Sequence, residues 1–294
     1  LVSWVVSEKN LFMKIPAPKI ILPLALAAML LSAGTSPAAL LVGWYRFNDP
    51  TDLGKDYSGN NNTGTIVDNG AAPIYTVSGY NGGAADFRGA GKINIPFNTG
   101  PRLWPNLTWG GWVNPDAVNS IRTLLNNDDG GYDRALNIDE RASGNYAAFV
   151  NNGPSPYDSG VEPVIGQWTF LAGVYENSYY GVGQGRLTMY VGNQVFNNIR
   201  TYYGDTNWTF SSIGGSPTFG EFWDGKMDDV FVMGGAASSA QMAQIIANPD
   251  DLAVIAASVG VPEPGQVAAS LLLLIGIGGY AFLKHRKQKT AVIA

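Results

Sequence analysis

The chain predicts an all-β domain: a two-sheet antiparallel jelly-roll sandwich with a short C-terminal helix. Three observations carry that expectation. From Leu41 onward, short runs rich in β-branched and aromatic residues alternate with clusters of Gly, Asn, Asp and Pro. Glycine is abundant at 37 residues, and aromatics make up 12% of a chain that is only 14% charged. Glycine supplies the positive φ of tight turns and aromatics fill half-buried pleated faces, so the mixture suits many strands joined by short turns. Finally, a single stretch has a convincing helical period.

The clearest strands are Leu41–Phe47, Leu107–Val113, Trp168–Tyr175, Arg186–Val191 and Lys226–Met233. In Trp168–Tyr175 one face carries Trp168, Phe170, Ala172 and Val174, and the other Thr169, Leu171, Gly173 and Tyr175. Both faces are mostly apolar, which predicts a central strand. The run RLTMYVGNQVF reads as a hairpin turning at Gly192-Asn193. The helix begins at Ser238, with Gln241 as capping-box partner and Met242, Ile245 and Ile246 on one apolar face. The domain is expected to span 40–247, and 248–261 to be a linker.

Composition excludes several chemistries. The chain has no cysteine, and its one histidine, His285, lies in a basic tail. The expected domain therefore has no Ser-His-Asp triad, no Cys-His pair and no imidazole or thiolate metal site. Between Leu40 and Pro262 there are 11 Lys and Arg against 21 Asp and Glu. Such an acidic domain repels phosphate backbones, so nucleic acid is not an expected partner.

The two ends predict export. After Met13, two lysines precede the apolar run Ile20–Leu31 and the small-residue pattern Ser36-Pro37-Ala38, as in a secretory signal peptide over 13–39. Residues 1–12 then read as an upstream extension. Near the other end, Val267 to Leu283 is uncharged and long enough for a short transmembrane helix. Lys284, Arg286, Lys287 and Lys289 follow, which places the tail in the cytoplasm and the domain outside. Pro262-Glu263-Pro264 stands just before this span. Pro-Glu-Pro, an apolar span and a basic cluster, in that order over 262–294, resemble the PEP-CTERM sorting signal. The resemblance implies an exosortase-type processing partner, transient or permanent anchoring in the inner membrane, and a destination at the cell surface or in the extracellular matrix of a Gram-negative bacterium. A plain single-pass anchor is the alternative.

Along 40–247, the segments LVGWYRFND, DYSGNNNTGT, GYNGGAADFRG, KINIP, LTWGGWVNP, VIGQWTFLAGVYENS, LTMYVGNQV and FWDGKMDDVFVM follow one another. Their order resembles the laminin-G-like, concanavalin A-like jelly-roll domains of secreted bacterial proteins. That resemblance implies fold more than function, because the fold hosts lectins, adhesion modules and glycosidases alike.

For catalysis, a retaining glycosidase needs two carboxylates about 5 Å apart on one face. Asp139 and Glu140 are adjacent in sequence and so point to opposite faces. Strand alternation groups Asp228 with Val230 and Val232, and Asp229 with Met227, Phe231 and Met233. No catalytic pair emerges, and the expected protein is not an enzyme. The Asp228-Asp229 pair either caps amides and meets an Arg, or binds Ca2+, which takes oxygen ligands only. Further oxygens for calcium are offered by Asp56 and Asn60 in one loop, and by Asp128, Asp129 and Asp133 in another; either loop could equally be an Asx turn. For sugar binding, Tyr179, Tyr180, Tyr202, Tyr203, Trp208 and Trp223 lie in polar, loop-like surroundings and could stack on a pyranose face. Trp44, Trp109, Trp112 and Trp168 sit on strands and are expected in the core. The expected function is non-catalytic binding of extracellular polysaccharide. The alternatives are a surface-protein-binding or structural module ordered by calcium, and a divergent polysaccharide hydrolase.

Overall fold

A computed structural model describes residues 40–128, 130, 134–150, 156–177, 184–201 and 209–258. The expected signal peptide and the sorting segment with its 267–283 span lie outside these residues. Among the described residues no helix is long and apolar enough to cross a membrane.

The strands follow the chain as β1 (Leu40–Tyr45), β2 (Thr65–Asp68), β3 (Ile74–Thr76), β4 (Ala84–Asp86), β5 (Gly91–Ile95), β6 (Leu107–Pro115), β7 (Arg122–Asn126) and β8 (Ala135–Asp139). They continue as β9 (Asn145–Phe149), β10 (Tyr157–Asp158), β11 (Thr169–Glu176), β12 (Gln184–Val191), β13 (Gln194–Thr201), β14 (Ser211–Ile213) and β15 (Gly225–Gly234). The first sheet runs β13-β12-β11-β6-β15-β4-β3, with β1 also on β15; the second runs β10-β9-β8-β7-β14-β5-β2. Their pairings are antiparallel. The domain is therefore the expected two-sheet sandwich, with the five strands read from sequence in place.

Between the sheets lies a core that includes Tyr45, Phe87, Trp109, Leu125, Ile138 and Trp223. Strand β11 is central, flanked by β6 and β12, and both of its faces are buried as its sequence predicts. Leu171 and Tyr175 face the second sheet, while Phe170, Ala172 and Val174 face outward into a second apolar cluster. The outward face is apolar because two helices cover it. Helix α1 (Ser239–Ala247) starts at the expected Ser238/Gln241 capping box and buries Met242 and Ile245. Ser238→Ala should cost about 1 kcal/mol, seen as a small drop in melting temperature.

Within the segment expected as a linker, the described residues 248–258 are folded. A 3-10 turn at Pro249–Asp251 leads into α2 (Leu252–Ser258), which buries Leu252, Ile255 and Ala256 against the same outer face. The segment is too short to show a helical period to a sequence reading, and tertiary packing decides it.

The β12–β13 hairpin turns where expected, with Gly192 at φ +57° and Val191 opposite Gln194. Gly214 shows a stricter requirement. Its φ is +78°, and an added Cβ would fall 2.1 Å from the Phe87 ring. Gly214→Ala should therefore cost about 2–3 kcal/mol, measured as a lower urea midpoint at unchanged slope.

Strand β15 departs from simple alternation. Asp228 pairs with Trp112 and Phe231 with Gly110, so three steps on β15 match two on β6. The extra residue is Asp229, at φ +46°. This β-bulge resets the pleat. Met227 now shares the inner face with Val230 and Val232, and the outer-facing Asp228 is grouped with Phe231 and Met233. The alternation expected from sequence is thus corrected, because a bulge residue is invisible to a period of two.

Candidate functional site

The outer face of the first sheet carries more apolar surface than two short helices can cover. Where the helical cover ends, Trp112 and Phe170 floor an open groove. Trp112 and Phe170 meet edge to face at 5.3 Å. Tyr80 stacks on Trp112 with ring centroids 3.4 Å apart and planes 11° from parallel, and stands edge-on to Trp168 at 6.4 Å. Tyr80 remains 42% exposed, so the ring face turned away from Trp112 meets solvent. The groove encloses about 550 Å³, with Glu162, Gln167, Asn193 and Gln194 supplying polar atoms around the aromatic centre. A second hollow of about 360 Å³ continues past Asn193 and Ile246 between Tyr190, Val195 and α1. Aromatic rings framed by a few amides and one carboxylate can stack on an apolar C–H face while bonding to hydroxyls at its rim.

Local sequence explains how Tyr80 reaches this position. It lies in Gly79-Tyr80-Asn81-Gly82-Gly83, the connection between β3 and β4, closed by the Gly79 amide donating to the Gly82 carbonyl at 3.1 Å. A Cβ on Gly79 would lie 2.1 Å from the Gly83 carbonyl oxygen, and Gly82 has φ +100°. Only glycines permit so tight a turn. Sequence reading passed over Tyr80. The available signal was an aromatic alone among glycines, with no strand face to bury it.

Beneath the turn lies a charged cluster. The buried Asp228 accepts the Asn81 amide at 2.7 Å through Oδ2 and the Asp229 amide at 2.7 Å through Oδ1. Asp229 accepts the Trp44 indole N–H at 2.9 Å and the Asn81 side-chain amide at 3.3 Å, and Arg46 lies 3.4 Å away. Arg46 also pairs with Asp250. Burial, then the neighbouring Asp229, pushes the Asp228 carboxyl up to about 8. Burial likewise raises Asp229, opposed by the Asn81 hydrogen bond and by Arg46.

The other sequence-selected positions are dispersed. Trp223 is fully buried between the sheets, so it offers no stacking face, and its reading as a loop aromatic is corrected. Trp168, expected in the core, instead forms a half-buried wall of the groove. Tyr179, Tyr180, Tyr202, Tyr203 and Trp208 lie outside the described residues, as do Asp129, Asp133 and Pro262-Glu263-Pro264. Asp56 organises its own loop, accepting the amides of Trp44, Ser58 and Asn62 at 2.8–3.0 Å. Asn60 ties that loop to the Leu41 and Val42 carbonyls. Asp128 accepts the Gly130 amide at 2.7 Å. Calcium needs clustered oxygen lone pairs, and at Asp56, Asp128 and Asp228 these are turned to N–H groups. Among the described residues no group of three acidic or imidazole side chains converges as a metal site.

On the outer face of the second sheet, Glu221 sits at φ +51° with Thr123 and Asn126 at its Oε2, 3.3 and 3.4 Å away. Burial raises its carboxyl, opposed by Arg141 and reinforced by Asp128 and Asp139. Asp139 is fully buried, caps a 3-10 turn and is held side-on by Arg141, with its Nε 2.9 Å from Oδ1 and Nη2 2.7 Å from Oδ2. An Asp clamped and covered in this way is not presented to a substrate.

Residues 105–243 match the family model described as the concanavalin A-like lectin/glucanases superfamily. Among solved structures, the chain is similar to domain 4 of AbnA, a GH43 extracellular arabinanase from Geobacillus stearothermophilus, in complex with arabinotriose. That match has a TM-score of 0.57 at 22% identity and covers 71% of this chain and 99% of that one. The binding domain of botulinum neurotoxin DC in complex with SialylT gives a TM-score of 0.47 at 10% identity, over 71% of this chain and 51% of that one. Trypanosoma rangeli sialidase in complex with sialic acid gives 0.48 at 15%, over 72% and 33%. The chain thus spans about half the length of the neurotoxin domain and a third of the sialidase. No curated protein sequence matches it. Its structural neighbours therefore include carbohydrate-binding and glycoside hydrolase-like proteins.

Proposed function

We propose that the domain is a non-catalytic carbohydrate-binding module that holds polysaccharide in the Tyr80–Trp112–Trp168 groove. The observation that carries this reading is the solvent-facing ring of Tyr80, fixed flat on Trp112 at the mouth of a groove rimmed by Glu162, Gln167, Asn193 and Gln194. A stacked, pre-oriented ring loses little conformational entropy when a sugar lies on it. Among the described residues, Glu162 is the only acidic one lining this groove, where glycoside hydrolysis needs two. The arabinotriose complex of the similar arabinanase domain is in keeping with a saccharide ligand. Secretion, an exosortase-type partner and a surface or matrix destination belong to the same proposal, on the strength of the 13–39 and 262–294 sequence patterns alone.

The test is affinity electrophoresis of the purified protein through gels containing arabinan, xylan, β-glucan or galactan, with calcium and again with chelator. Retardation by at least one polysaccharide is expected. Migration unchanged in every gel would overturn the reading, and release of reducing ends from any of them would replace it with hydrolysis. Retardation lost with chelator would bring calcium into the binding.

A further inference from the structure

Asp228 and Trp112 are cross-strand partners on the outer face of the first sheet, and both hold the same turn. Trp112 takes the Tyr80 ring; the buried Asp228 takes the Asn81 amide, with the Tyr80 amide acting on the same carboxylate. The bulge at Asp229 makes this possible. Without the extra residue, the pleat would not bring Asp228 and Asp229 together under the Gly79–Gly82 turn. Asp229 then fastens the Asn81 side chain, which also donates to Asp250 at 3.1 Å. Two consecutive carboxylates thus grip the backbone and side chain of the residue next to Tyr80.

We propose that Asp228 is a positioning residue for carbohydrate binding: it fixes the Gly79–Gly82 turn so that the Tyr80 ring lies on Trp112 and presents its outer face to ligand. This rests on the groove reading above. The physical need is clear. A turn of glycines has many alternative conformations, and ring stacking alone is worth too little to select one. Amides with a buried acceptor lose a hydrogen bond in every other conformation, which makes the turn rigid.

The experiment compares wild type, Asp228→Ala, Asp228→Leu, Asp228→Asn and Tyr80→Ala in the full chain, by near-ultraviolet circular dichroism and by affinity for the retarding polysaccharide. The Tyr80→Ala difference spectrum defines the band of the stacked Tyr80–Trp112 pair. Asp228→Ala and Asp228→Leu should lose that band at unchanged far-ultraviolet signal and weaken binding about tenfold. Asp228→Asn, which keeps a carbonyl acceptor for the Asn81 amide, should retain most of both. In the Tyr80→Ala background, Asp228→Ala should weaken binding no further. Should the Ala variant not fold, the Leu variant, which fills the space without a polar group, gives the same readout. A folded Asp228→Ala or Asp228→Leu protein with the band and affinity intact overturns the proposal, and so do losses that multiply with Tyr80→Ala. If wild type binds no polysaccharide, the groove reading fails, while the dichroic band alone still decides whether Asp228 positions Tyr80.

Discussion

Raising the pH from 5 to 9 is expected to lower the melting temperature of the domain, with most of the loss complete by about pH 8. The cause is Asp228, fully buried on the outer face of the first sheet. Burial and the adjacent Asp229 push its carboxyl up to about 8 in the fold, against roughly 3.9 in an unfolded chain. Between these values the folded state holds a proton that the unfolded state has released. Stability therefore falls as pH rises from about 4 to about 8 and is level above. Asp229 is also raised and acts with the same sign. Arg46 and Asp250, which face the pair from β1's exit and the 3-10 turn, oppose each other: the guanidinium lowers Asp229 and the carboxylate raises it. At about 1.36 kcal/mol for each pH unit between the folded and unfolded values, the largest loss from Asp228 is roughly 6 kcal/mol. Asp228→Asn, neutral at every pH, should flatten the profile and be more stable than wild type at pH 9. Calorimetry across pH 5–9 checks both, and a melting temperature that rises over this range would contradict the buried-carboxyl account.

Trp223→Ala and Trp168→Ala should have opposite consequences. Trp223 is fully buried in the inter-sheet core, with its amide donating to the Gly214 carbonyl at 3.0 Å and its carbonyl accepting from Gly89 at 2.9 Å. Its truncation leaves a cavity between sheets and should cost about 3–5 kcal/mol. Affinity for polysaccharide, measured where the variant is still folded, should stay within about twofold. Trp168 is a half-buried wall of the groove, so Trp168→Ala should leave the melting temperature within a few degrees and weaken binding roughly tenfold, about 1.4 kcal/mol. Denaturant midpoints and gel retardation for both variants separate core from site.

Much of the fold was legible because its signals are local. The two apolar faces of Trp168–Tyr175 announced a strand covered on both sides, and the Ser238/Gln241 box announced the covering helix. The site was harder to read. Its aromatics come from three separate places, the β3–β4 turn, β6 and the entry to β11, and no sequence spacing relates them. Trp112 and Trp168 look like any other strand tryptophans; whether one is core or wall depends on where α1 stops. Trp223 misled in the opposite way, since Gly220 and Gly225 around it suggest a loop while its side chain turns inward. The bulge at Asp229 was hidden because nothing in the run KMDDVFVM marks which residue will be left unpaired. Its consequence, two carboxylates on one side of a core strand, links the fold to the groove.

The central claim is that Tyr80 and Trp168 hold a saccharide. Its most direct test is the retardation of the full chain by a polysaccharide panel, for wild type and for the Tyr80→Ala/Trp168→Ala double variant. The account predicts that wild type is retarded by at least one polysaccharide and that the double variant, equally stable, loses about 100-fold in affinity. A stable double variant that binds as tightly as wild type would contradict it and move the site elsewhere on the domain.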